Sequence, residues 1–137
     1  MKKMINLAFG YAAAALVSGV FYREFTKFNG YTDVTTLGKM HTHLFALGMF
    51  VFLFVALFTI HTNLIEQKQF KQFLVLYNVG VPLTTIMMLV RGILEVLGTP
   101  LSKGANASIS GIAGIAHILT GAGLVLLFLA LRKVEKK

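Results

Sequence analysis

The chain has 137 residues, 56% hydrophobic and only 13% charged, less charge than a soluble domain of this size carries. It has no cysteine, which excludes disulfides, iron–sulfur clusters and thiolate metal sites. The net charge of +8 is carried mostly by Lys and Arg at the ends of apolar runs, a pattern of membrane topology rather than of nucleic-acid binding.

A helix needs about 20 apolar residues to cross roughly 30 Å of hydrocarbon, and four such runs are present, at about 4-24, 34-62, 71-97 and 108-132. Short links join them, so the expected fold is all-α, an integral membrane up-down-up-down four-helix bundle forming one domain over 1-137. The first run, INLAFGYAAAALVSGVF, follows Lys2 and Lys3 and stops at Tyr22–Arg23–Glu24. A basic start with a modest apolar core also fits a signal peptide; the segment is read here as a retained span. The polar connection that follows contains the turn-prone Asn29–Gly30, and Thr32 or Asp33 is placed to cap the second helix. That helix carries GKMHTHLFALGMFVFLFVALFTIHT and ends near Thr62. The third run contains Asn78, Pro82, Arg91 and Glu95; Pro82 should kink it, which membranes tolerate where neighbours satisfy the freed carbonyl. Gly98, Pro100, Gly104 and Asn106 read as a loop before a fourth helix from about Ser108 to Leu131.

One side of this topology holds Lys2, Lys3, Lys68, Lys71, Arg132, Lys133, Lys136 and Lys137. The other holds Arg23, Lys27, Lys39 and Lys103, with Arg91 near it. The excess of positive charge puts both termini in the cytoplasm, in a multi-pass protein of the cytoplasmic membrane.

Three of the four histidines, His41, His43 and His61, lie on the second helix and His117 on the fourth. An imidazole among lipid tails is costly unless it faces the bundle interior and finds a partner. Counted from helix starts near Asp33 and Ser108, His41 and His117 sit at similar depths, roughly 12–13 Å from the outer side. On the fourth helix Ser110, Gly114, His117 and Gly121 share a face, and small residues let a helix or a flat macrocycle approach closely. His41, Phe45, Gly48 and Phe52 form a similar stripe on the second helix. His43 lies about 200° around from His41, so the two do not readily hold one ion together, and His61 is about 27 Å further along.

A b-type haem matches this set: two axial imidazoles, small and apolar walls, and cations for the propionates. His41 and His117 are the expected axial ligands, with His43 the substitute for His41. Gly48, Gly114 and Gly121 would line the ring, and Arg91, Arg23 and Lys39 would meet the propionates. Haem b is not covalently attached, so no Cys-x-x-Cys-His is required.

The segment LGKMHTHLFALGMFVFLFVAL resembles the second helix of the catalytic subunits of haem–copper oxidases and nitric oxide reductases. In those the first histidine of the motif is an axial ligand of the low-spin haem, which the resemblance carries to His41. It covers only about twenty residues, and the chain lacks the further helices and copper-site histidines of those enzymes, so oxygen or nitric oxide reduction by this chain alone is not implied. As a whole the chain resembles small four-helix bacterial membrane proteins of unknown function, mainly from Gram-positive bacteria, which implies architecture and little chemistry.

The expected function is therefore haem binding for electron transfer, haem handling or gas sensing. Its surroundings would be the lipid bilayer, a redox partner or quinol, and further copies of itself in a homo-oligomer; nucleic acid is not expected. Two alternatives stay open. His41 or His43 with His117 and Glu95 could hold Zn²⁺ or Cu²⁺. A transporter or accessory subunit could instead use the histidines as polar glue or proton-responsive groups. Arg91 and Glu95, spaced i, i+4, could simply pair, and Asn78 with Pro82 could line a quinone pocket. No Ser or Asp forms a hydrolase-like nucleophile with a base, and whether the chain catalyses any reaction is left open.

Overall fold

A computed structural model describes residues 1–135. Lys136 and Lys137, counted above among the terminal charges, lie outside the described residues. Four helices are present: α1 (Lys2–Phe28), α2 (Leu37–His61), α3 (Lys68–Val96) and α4 (Lys103–Leu131), each long and apolar enough to cross a membrane. One 3-10 turn, Leu64–Glu66, joins α2 to α3. There is no strand among the described residues.

The helices neighbour one another in chain order: α1 packs along α2, α2 reaches α3, and α3 packs along the length of α4. Met4, Leu64, Phe70 and Ala130 belong to one buried cluster, so the start of α1 and the end of α4 share a level with the α2–α3 link. Backbone and side-chain hydrogen bonds between Asn63 and Glu135 tie the tail to that link. This is the terminal end of the bundle. The opposite, loop end carries the connections at 29–36 and 97–102.

Within lipid the hydrophobic effect does not pull helices together, so close packing and interhelical hydrogen bonds carry the association. Phe52 of α2 is the hub: its ring stacks on Tyr11 of α1 at 5.6 Å and meets Phe73 and Tyr77 of α3 at 6.0 Å each. Glycines bring the backbones close enough for these contacts. Gly80 and Gly123 fit α3 and α4 together against Thr120 and Tyr77, and Gly92 of α3 accepts Leu37 of α2.

Several helices run further than the hydropathy suggested. Nothing in REFTKF stops α1, which continues to Phe28. Gly30, at φ +60°, closes it: Tyr31 N–H donates to the Thr26 carbonyl and Gly30 N–H to that of Lys27. At the other loop-end turn, α4 starts at Lys103 because the Ser102 hydroxyl accepts from Ala105 N–H. Gly104 and Asn106, expected in a loop, are therefore helical, and His117 lies further into its helix than the count from Ser108 implied.

One departure from regular helix lies inside the bundle. Leu44–Phe50 of α2 is π-helical, a wider turn that shifts the helix's faces and recurs at functional sites. Within it the Leu47 carbonyl accepts the Tyr77 hydroxyl at 2.8 Å. At Pro82, where the sequence predicts a kink, α3 continues as helix without a break.

Candidate functional site

His41 and His43 leave α2 on different sides. His41 packs against α1, where its Cβ and Cγ lie 3.8 Å from the space beside Gly19. The same side of α2 presents Gly38 to the Tyr22 ring, Gly48 to Tyr11 and Phe52 to Tyr11. Gly48 thus has no room for a flat ligand: the Tyr11 ring occupies the space a side chain would take, and the glycine serves helix packing. His41 Nδ1 is buried and has no hydrogen-bond partner.

His43 is about 200° around the helix from His41, on the side turned away from α1. Its Nδ1 donates to the Lys39 carbonyl at 2.9 Å. His117 on α4 repeats the arrangement: its Nδ1 donates to the Ala113 carbonyl at 2.7 Å. A carbonyl only accepts, so each ring carries a proton on Nδ1, and in the neutral form of such a ring it is Nε2 that keeps the lone pair. This is the tautomer and anchoring that iron- and zinc-bound histidines use, one nitrogen held by the protein and the other left for the metal.

The depth of each histidine can be read from contacts that cross between helices. Leu37 of α2 lies at Gly92 of α3; on α4, Arg91 meets Asn106 and Ser110, and Gly80 meets Thr120. On this scale His43 is level with about Ile86 of α3 and His117 with about Leu83, a separation of about 5 Å along the bundle; His41 is about 7–8 Å from the level of His117. His43, rather than His41, matches His117 both in level and in the state of its ring.

On α4, Ser110, Gly114, His117 and Gly121 continue along one face into Leu124, Phe128 and Leu131. In the terminal half the latter three, with Val51, Phe54 and Phe58 of α2, line an apolar groove of about 250 Å³. Loopward of this groove the same face is bare: Gly114, His117 and Gly121 are exposed, and a Cβ on either glycine would meet nothing within 4 Å. The bare part of this α4 face lies at the level of the two anchored imidazoles.

Arg91 reaches this face. Its guanidinium donates to Asn106 Oδ1 at 3.2 Å and to Ser110 Oγ at 2.9 Å, which holds a cation about two turns loopward of His117. It does not bridge to Glu95. That carboxylate instead accepts from Thr35 Oγ1 (2.9 Å), Thr36 N–H (2.7 Å) and Thr36 Oγ1 (2.8 Å), pinning the start of α2 to α3. Arg23 is exposed at the loop end of α1, 3.8 Å from its neighbour Glu24, and does not join the α4 face. Lys39 is exposed, and its carbonyl is the anchor of His43. His61 is exposed at the terminal end of α2.

Among the described residues no group of three or more His, Cys, Asp or Glu side chains converges. The set of His41 or His43 with His117 and Glu95 is not assembled, because Glu95 is committed to Thr35 and Thr36. What the chain offers is two monodentate imidazoles, a bare helix face and one held arginine. The hydropathy profile could not assign these parts, since it does not tell which side of α2 meets α1, and the Arg91 contact with Asn106 depends on the early start of α4.

Residues 1–134 match the model of a family described as "Protein of unknown function (DUF2871)". No curated protein and no solved structure matches the chain.

Proposed function

The chain belongs to the DUF2871 family, and we propose that it is a multi-pass protein of the cytoplasmic membrane, termini cytoplasmic, that binds haem b between α2 and α4. The iron ligands are Nε2 of His43 and Nε2 of His117. The reading rests on one observation above all: these two rings, on separate helices and close in level, are each anchored through Nδ1 to the carbonyl one turn back, leaving both Nε2 atoms for a metal.

The surroundings suit that group. Haem needs two axial donors and no third carboxylate, which fits a site where three acidic or imidazole groups do not converge. Gly114 and Gly121 leave the α4 face flat, and Arg91 supplies a positive charge toward the loop end, where propionates would lie. His41, packed on α1, is not part of the pair. Bound haem supplies a one-electron couple; with protein donors on both sides of the iron no position remains for a gas, so electron transfer is favoured over diatomic sensing. The positive charge around the α2–α3 link and the termini puts that end in the cytoplasm, so the haem lies in the outer half of the membrane.

The test is the visible spectrum of detergent-purified protein from haem-supplied cells, oxidised and dithionite-reduced. Sharp reduced α and β bands with one haem per chain are expected. A broad high-spin spectrum would refute the paired ligation, and the lack of a Soret band after haem addition would refute haem binding altogether.

A further inference from the structure

A second site lies on the other side of the bundle, in the lateral groove between α1 and α3. Two cavities there, 390 and 560 Å³, share Ala14, Leu44, Thr85 and Ile86 as lining residues and so form one continuous trough. The first holds the polar groups Asn6, Tyr11 and Asn78 with Pro82. The second is almost wholly apolar and runs toward the loop end past Phe21, Leu89 and Ile93. No charged side chain lines either part.

The polar part is deep. Tyr11 lies nine residues into α1 and Asn78 ten residues into α3, about 14–15 Å from the terminal end and close to the middle of a 30 Å hydrocarbon layer. The Tyr11 hydroxyl donates to Asn78 Oδ1 at 3.3 Å, and Asn78 Nδ2 donates to the Leu74 carbonyl at 2.8 Å. This leaves the second Nδ2 hydrogen and the lone pairs of the phenol oxygen. Pro82 adds an acceptor. It has no N–H, so the Asn78 carbonyl loses its usual donor four residues on, at a depth where no water replaces it.

We propose that this trough binds an isoprenoid quinol, its ring hydroxyl against Tyr11, Asn78 and the carbonyl freed by Pro82, its tail along the apolar part. The inference stands independently of the haem. A head group that both accepts from the amide and donates to a carbonyl fits these groups, and a plain hydrocarbon tail leaves them unsatisfied. A phospholipid head or a fatty-acid carboxylate is charged, meets no counter-charge here, and belongs at the interface rather than at mid-membrane. A neutral ring hydroxyl on a long apolar tail meets each condition. A prenyl alcohol shares the hydroxyl without the ring, and the experiment separates it.

The test is equilibrium binding of a radiolabelled decyl-benzoquinol, kept reduced under argon, to the full chain in nanodiscs, with decanol and farnesol as competitors. Saturable binding of one quinol per chain is expected, with either alcohol displacing it at least tenfold less well than unlabelled quinol. Asn78→Leu removes the amide; Ala14→Phe fills the junction of the two cavities from the lipid-exposed side and leaves the Tyr11–Asn78 pair alone. Each should weaken binding about tenfold or more, Ala14→Phe at an unchanged melting temperature; should Asn78→Leu, which also removes the Tyr11–Asn78 bond between α1 and α3, fail to fold, Ala14→Phe decides. Quinol binding no better than decanol, displacement by farnesol equal to that by quinol, or wild-type affinity in Ala14→Phe would overturn the proposal.

Discussion

His41 and His43 differ by two positions and by half a turn of helix, and that half turn gives them different chemistry. His41 packs on Gly19 with an unpartnered Nδ1, whereas His43 spends its Nδ1 on the Lys39 carbonyl and keeps Nε2 free. The sequence marked both as costly in lipid but could not choose between them, because the choice depends on which side of α2 meets α1. The glycines divide in the same way. Gly48→Ala drives a methyl into the Tyr11 ring and should lower stability by about 1–3 kcal/mol, the usual cost of overpacking, read as a fall in melting temperature. Gly114→Ala meets nothing and should leave the melting temperature of the haem-free protein unchanged or raised, since Ala is the better helix former by about 1 kcal/mol. In a haem titration the same change should weaken binding, because it narrows the bare face. A Gly114→Ala protein that binds haem as the wild type does would show that the ring lies elsewhere.

At the level of helices, the existence and number of the four long apolar helices were legible from hydrophobic runs alone, and their ends were not. The start of α2 is fixed by a group from another helix: Glu95 of α3 accepts three hydrogen bonds from Thr35 and Thr36, a long-range cap that no local motif announces. Glu95→Ala should cost about 1–2 kcal/mol, the net worth of hydrogen bonds to a partly solvated charged acceptor, and should speed amide hydrogen exchange in the first turn of α2 ahead of the rest. Uniform exchange across α2 would show that the latch does not hold it. The stripe of His41, Phe45, Gly48 and Phe52 was also visible in the sequence. Its partner was not, since an apolar stripe beside α1 reads the same as one beside a cofactor, and the π-helical turn changes the phase after His43.

For the molecule as a whole, the charge asymmetry predicts an orientation that labelling can test. The absence of cysteine makes single-cysteine labelling clean: Lys103→Cys should react in intact cells with a membrane-impermeant maleimide, and Lys68→Cys only after permeabilisation. The reverse pattern would invert the bundle and move the histidine pair to the inner half of the membrane. The α3–α4 pairing, built on Gly80 and Gly123, leaves the loop half of α4 free on its other face. In a bundle held by packing rather than by the hydrophobic effect, such a bare face is where the chain has room for a group other than its own helices.

The claim that His43 and His117 hold a haem is tested most directly by reduced-minus-oxidised spectra of four proteins purified in parallel: wild type, His41→Ala, His43→Ala and His117→Ala. Paired ligation predicts sharp α bands in the wild type and in His41→Ala, and their loss in His43→Ala and His117→Ala. Bands that vanish with His41 and survive without His43 would contradict it and return the ligand to the α1 side of the helix.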